Sequence, residues 1–136
     1  MNSPAGSTAT SLYERLGGVY SIAAVVDDFV NRIMDNPKLN ANPKVDVAHH
    51  RVSRAGFKYL VTEMVCWAAG GPQKYTGRSM YDSHVDLDIT EDEWEVFLAD
   101  LRTTLNHFSV PIVEQKELFA IVDSTKADIV LNGKRR

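Results

Sequence analysis

Residues 22–33, which read IAAVVDDFVNRI, decide the fold class of this chain. Their apolar side chains recur at steps of three and four residues, which is the period of one face of an α-helix. The many β-branched residues would suit a strand, but the period of the pattern does not fit one. We therefore predict a helix that ends at Asn36-Pro37, because the residue before a proline leaves the α region. Its apolar stripe consists of Ile22, Val25, Val26, Phe29, Val30 and Ile33.

Three further apolar stripes of helical period follow along the chain. The first is stopped by Gly70-Gly71-Pro72, and the last is expected to take Pro111 in its first turn. The stripes comprise Phe57, Leu60, Val61, Met64, Val65 and Ala68; then Trp94, Phe97, Leu98, Leu101 and Leu105; then Leu118, Phe119, Ile121, Val122 and Ile129.

Shorter signals complete the pattern. Ser11 with Glu14, and Thr90 with Glu93, have the form of capping boxes that start helices. Residues 79–83 predict one short helical turn, and residues 36–46 (NPKLNANPKVD), with two prolines, predict a turn-rich connection. No segment reads convincingly as a strand, so the predicted fold class is all-α.

The length predicts one domain, which we place at residues 11–131. Residues 1–10 (MNSPAGSTAT) are small and polar and predict a disordered tail, and residues 132–136 predict a frayed end. The net charge of −3 argues against nucleic acid as a main partner. No apolar run reaches the ~20 residues of a membrane span, and no signal peptide is visible, so we expect a cytoplasmic protein with no membrane partner.

Few residues are candidates for chemistry. The single cysteine, Cys66, excludes a disulfide framework and a two-cysteine haem attachment within one chain, and its apolar context predicts a core residue. His49 and His50 read as solvated and His107 as structural. His84, among several aspartates, has two readings: a surface histidine beside acids, or a ligand of a metal or of haem iron.

Several segments in combination resemble a group I truncated haemoglobin. They are residues 11–18 (SLYERLGG) with the helix at 22–33, residues 70–80 (GGPQKYTGRSM) with His84 four positions on, Ile89-Thr90 before Trp94, and residues 124–130 (STKADIV). The resemblance covers residues 11–130. It implies a two-over-two helical sandwich around haem b, with a first long helix from near Tyr20 and a second over residues 53–69.

The resemblance also implies roles for individual residues. His84 matches the proximal ligand of the iron, and Lys74 and Arg78 match cations that could reach the haem propionates. Tyr75 matches a tyrosine of the loop before His84. The other implied haem-pocket residues are Phe29, Met80, Trp94, Phe97 and Leu98.

The chain departs from the family pattern on the distal side. Val30 stands where a tyrosine is common. Phe57 and Val61, with Leu60 nearby, stand where the family often has a polar group over the iron, whereas a shifted register would bring in Tyr59 or Gly56. The phenylalanine usual between the two long helices is replaced near Asn42 or Pro43.

These residues imply a haem protein that binds a diatomic gas (oxygen, NO or CO) in an unusually apolar pocket, for oxygen or NO handling or for sensing. One alternative is a haem-free globin-fold module for interaction or stress signalling. Another is a haem-dependent peroxidase-like enzyme or an NO dioxygenase, and the dioxygenase would need a separate reductase.

Overall fold

A computed structural model describes residues 10–131, and this part of the chain is helical without a strand. The predicted tail and the predicted frayed end lie outside the described residues, apart from exposed Thr10. The helices are α1 (Leu12–Arg15), α2 (Gly18–Asp35), α3 (Pro37–Asn40), α4 (Pro43–Arg51), α5 (Arg54–Ala68), α6 (Met80–His84), α7 (Glu91–His107), α8 (Ile112–Asp123) and α9 (Lys126–Ile129).

Both predicted capping boxes are formed. The Glu14 amide donates to Ser11 Oγ at 3.1 Å, and the Ser11 amide donates to the Glu14 carboxylate at 3.2 Å. Thr90 and Glu93 make the same reciprocal pair at 3.0 and 3.1 Å. These side chains satisfy amides that the first turn of a helix leaves unpaired, so they fix where α1 and α7 begin.

The connection predicted at residues 36–46 is wrong in detail, because two helices start within it. Asn36 accepts a hydrogen bond from the Lys38 amide and caps α3, and Asn42 accepts from the Lys44 amide and caps α4. Each proline follows its cap directly and occupies the first helical position. Proline fits there because its fixed φ is helical and its missing N–H needs no partner.

The core forms where α2 packs against α5 and α7. The α2 stripe predicted from the sequence is buried or partly buried along its whole length, and Val30 is completely inaccessible. Cys66 is also completely buried, as predicted. The longest helix, α2, therefore contributes to both of these contacts between long helices.

The last helix is interrupted, whereas a continuous one was expected through residues 124–130. α8 ends at Asp123 and the short α9 begins at Lys126. The hydroxyls of Ser124 and Thr125 both donate to backbone carbonyls three residues earlier, which competes with regular helical pairing. The break matters for the site because α9 packs against α6.

Candidate functional site

His84 ends the short helix α6, which begins with Ser79 accepting the Asp82 amide at 3.0 Å. The Nδ1 atom of His84 lies 2.8 Å from the carbonyl oxygen of Met80 and 2.9 Å from Oγ of Ser83. A carbonyl only accepts, so Nδ1 carries the proton and donates to it. The lone pair of the neutral ring is then on Nε2, which none of these contacts uses.

The surroundings of His84 favour the neutral form of its ring. Burial lowers the pKa of His84, the hydrogen bond with the Met80 carbonyl works in the opposite direction, and the charge of Arg78 lowers the pKa further. A neutral imidazole with its Nδ1 proton on a backbone carbonyl is the usual arrangement of a histidine that ligates a metal through Nε2. His84 therefore fits the role of an axial ligand to haem iron.

Aromatic side chains from α2 and α7 meet in the core. The Phe29 and Phe97 rings pack edge to face with centroids 5.4 Å apart, and the Trp94 and Phe97 rings lie 5.2 Å apart. Phe29 and Trp94 are buried and Phe97 is partly buried. The structure thus brings together three of the pocket residues that the resemblance implied. Leu98, the third of these residues on α7, is partly buried next to Phe97.

The α5 helix turns apolar residues toward the core. Phe57 and Val61 pack against the core cluster and Leu60 is partly buried. Tyr59 is 62% exposed, and its hydroxyl hydrogen-bonds to Glu63. Gly56 is also exposed, so the residues of the shifted register face solvent, whereas Phe57, Leu60 and Val61 are partly buried.

The loop before α6 carries the predicted cations on the surface. Lys74 and Arg78 are exposed, and Tyr75 and Met80 are partly buried. Tyr75 Oη donates to the Arg78 carbonyl at 2.6 Å, and Arg78 Nη2 donates to the Asp82 carbonyl at 2.6 Å. The second of these bonds attaches the Arg78 side chain to α6, the helix that carries His84.

Glu63, a residue without a role in the sequence-based prediction, links α5 to the same loop. Its Oε1 atom accepts from the Thr76 amide at 3.0 Å and from Thr76 Oγ1 at 2.6 Å. These hydrogen bonds, chiefly the one from the Thr76 side chain, lower the pKa of Glu63. The signal in the sequence was a single carboxylate within the mostly apolar run of residues 60–68.

The contacts of Asn42, which the sequence marked only as a departure from the family pattern, are the second feature that the sequence did not reveal. Its Nδ2 atom lies 2.9 Å from the Leu87 carbonyl, 3.4 Å from the Asp88 carbonyl and 3.1 Å from Oε1 of Glu93. The family that the chain resembles usually has a phenylalanine near this position. The asparagine instead connects the start of α4 to the backbone just after α6 and to the cap of α7.

The other histidines are separate from this site. His49 is half-buried, in contrast to its predicted solvated state, and its Nδ1 lies 2.7 Å from Oδ1 of Asn40. His50 is exposed as predicted, and His107 is the exposed last residue of α7.

Other kinds of site were sought in residues 10–131. No three His, Cys, Asp or Glu side chains in this part of the chain cluster as a metal site. None of its helices combines the length and apolar character that a membrane span requires. An open groove of about 450 Å³ between α2, α3 and α7 includes Arg32, Asp35, Lys38 and Asp100 in its lining, and none of the candidate site residues lines it.

An all-α domain with a backbone-oriented histidine and a buried aromatic cluster has the features of a small globin. A model of the bacterial-like globin family matches residues 11–131. A group 1 truncated hemoglobin of Synechocystis is 29% identical over 107 residues, which cover 75% of this chain and 81% of that protein. One of Chlamydomonas moewusii is 29% identical over 129 residues, covering 93% and 71% respectively.

The fold comparison agrees with the family match. The 2/2 hemoglobin of Synechococcus, solved in the cyanomet state with covalently attached heme, superposes with a TM-score of 0.78 at 24% identity, covering 89% of this chain and 98% of that one. The chain belongs to the bacterial-like globin family, and its fold is the predicted two-over-two truncated globin. Membership implies haem binding and the binding of small gas ligands in general.

Proposed function

We propose that the protein binds haem b through Nε2 of His84 and takes up a diatomic gas such as oxygen, NO or CO. The observation that carries the proposal is the hydrogen bond from Nδ1 of His84 to the Met80 carbonyl, at 2.8 Å. This bond fixes the tautomer and orients the ring, so Nε2 is available as a ligand without a prior proton loss. Haem iron supplies the coordination position for the gas.

The residues proposed for the distal side favour apolar ligands. Val30, Phe57 and Val61 have no side-chain hydrogen-bond donor, and Val30 is wholly buried. A donor would stabilise a ligand that gains negative charge, as oxygen does, more than it would stabilise CO. We therefore expect weak retention of oxygen relative to CO.

The remaining candidate residues would hold the edge and the propionates of the haem. Lys74 and Arg78 are exposed cations, and charge-assisted hydrogen bonds to propionate carboxylates suit them. Phe29, Met80, Trp94, Phe97 and Leu98 would contribute apolar contact. A peroxidase-like reaction usually uses a polar distal acid–base group, and the inward α5 side chains Phe57 and Val61 do not supply one.

Haem titration of the purified protein tests the proposal. We expect stoichiometric uptake with a Soret band that His84→Ala abolishes or shifts. His107→Ala is the matched control, because it removes an exposed histidine at the end of α7 and should leave the spectrum unchanged. Absence of stoichiometric uptake by the wild-type protein would favour the haem-free interaction module instead.

A further inference from the structure

The segment that carries His84 has little regular structure of its own. Between the end of α5 and the start of α7, α6 is the only helix, and it is five residues long. Glu63 holds the segment on one side of His84 through Thr76. On the other side, the short turn after α6 is held by Asn42 from a distant part of the chain.

The contact of Asn42 lies one hydrogen bond away from His84. Nδ2 of Asn42 donates to the Leu87 carbonyl at 2.9 Å, and the Leu87 amide donates to the His84 carbonyl at 3.0 Å. A second N–H of the same amide group reaches Oε1 of Glu93, the residue that completes the α7 capping box. One side chain therefore joins α4, the turn after His84 and the start of α7.

The Asn42 amide is itself held in place from its other end. Its Oδ1 atom accepts from the amides of Lys44 and Val45 at 3.0 and 3.4 Å, which fixes the orientation of the side chain. The neighbouring Lys44 makes an ion pair with Asp88, which follows Leu87 in the chain, at 2.7 Å. The donor atoms are thus presented to the turn by a rigid helix start rather than by a mobile loop.

We propose that Asn42 is a positioning residue for His84, which sets the place of the ring by fixing the backbone at Leu87. The proposal rests on the proposed role of His84 as haem ligand. Asn42 occupies the region where the family usually has a packing phenylalanine, and it acts here through hydrogen bonds to the backbone after α6. Removing a direct hydrogen-bond partner of a metal ligand typically changes metal affinity about 10- to 100-fold. Because Asn42 acts one hydrogen bond further out, through Leu87, we expect an effect at the lower end of that range.

The chain contains a matched control in the repeated tripeptide Asn-Pro-Lys. Asn36 caps α3 before Pro37, as Asn42 caps α4 before Pro43. Asn36 also donates to α7, through Asp100 Oδ2 at 2.9 Å, but it does not contact the turn after α6. Serine at either position keeps a good helix cap and is too short to reach across, so Asn42→Ser and Asn36→Ser remove only the long contacts.

The first measurement uses the haem-free full-length chain. Amide hydrogen exchange should become about tenfold faster at Val85 and Leu87 in Asn42→Ser but not in Asn36→Ser; a tenfold change corresponds to ~1.4 kcal/mol. Unchanged exchange at these amides in Asn42→Ser would overturn the anchoring by Asn42, whatever the protein does with haem.

The second measurement uses the haem-loaded protein. Asn42→Ser should lose haem about tenfold faster than Asn36→Ser and should shift the iron–histidine vibration of the ferrous form, which a general loss of stability would not do. Identical haem loss and identical vibration in the two variants would overturn the positioning role. A haem spectrum that His84→Ala leaves unchanged would overturn the proposed function and the positioning role with it, whereas the exchange data would still show separately whether Asn42 anchors the turn after α6.

Discussion

Thr104 on α7 donates a hydrogen bond of 2.7 Å from Oγ1 to Oδ2 of Asp28 on α2, and Thr104 is completely buried. The same carboxylate oxygen accepts from Nε of Arg32 at 2.7 Å. Burial raises the pKa of Asp28, but the hydrogen bonds from Arg32 and Thr104 outweigh it, so the net shift is downward. The hydrogen bond from Thr104 therefore joins the two helices that carry Phe29 and Phe97, and the Arg32 bond within α2 keeps the Asp28 carboxylate charged and in place.

We expect Thr104→Val to destabilise the fold. The substitution keeps the shape of the side chain and removes the donor, and a hydrogen bond to a charged group contributes ~1.5–3 kcal/mol. Urea denaturation measures the change. Thr103→Val is the control, because Thr103 is exposed on the same helix and bonds only within it, to the Ala99 carbonyl. Equal losses in the two variants would show that the Asp28 contact contributes nothing specific.

The Glu63 carboxylate should make the free energy of unfolding depend on pH in the acidic range. Its pKa is lowered in the folded state, chiefly by the Thr76 side chain, from an ordinary value of 4.5. The stabilisation it gives is present above pH 4.5 and is lost as the pH falls through the lowered folded value. Glu63→Gln should therefore lower the midpoint of urea denaturation near pH 7. The midpoint of this variant should also fall less than that of the wild type when the pH is lowered.

Thr76→Val provides the companion to Glu63→Gln. It removes the Oγ1 donor and keeps the backbone amide that also bonds Glu63. The two substitutions should combine less than additively, because they interrupt one interaction. Strict additivity of the two free-energy changes would contradict this assignment.

Val30 is the position at which a distal hydrogen-bond donor can be restored. In the haem-loaded protein, Val30→Tyr should slow oxygen release about ten- to a hundredfold relative to Val30→Phe, since a hydrogen bond to a charged acceptor is worth ~1.5–3 kcal/mol. The phenylalanine variant introduces the same ring without the hydroxyl, so it accounts for overpacking at a completely buried site. Equal release rates in the two variants would place Val30 away from the ligand.

We expect that no nitrogen of the protein other than that of His84 binds the haem iron. Lys58 makes an ion pair with Asp27 at 2.7 Å, and His49 is held by Asn40. The spectrum of the haem-loaded protein without added gas should therefore be that of a five-coordinate or water-ligated iron. A low-spin spectrum with two nitrogen ligands would contradict this expectation.

The helices that a periodic pattern or a cap defines could be predicted without the structure. The α2 stripe and the Thr90–Glu93 capping box depend on residues within one or two turns of each other, so the information is local in the sequence. The helices at Pro37 and Pro43 were missed because proline breaks helices in general, and its favourable place at the first position depends on the asparagine cap before it.

The sequence by itself determined the all-α class, the order of the long helices and the placing of His84 in a short segment before α7. These follow from periodicity, caps and motif spacing, which act over a few residues. Only the tertiary structure revealed that Tyr59 turns outward and that Glu63 and Asn42 hold the two sides of the His84 segment. Those contacts join residues 13 to 51 positions apart, and no local pattern specifies which distant carbonyl or amide a polar side chain meets.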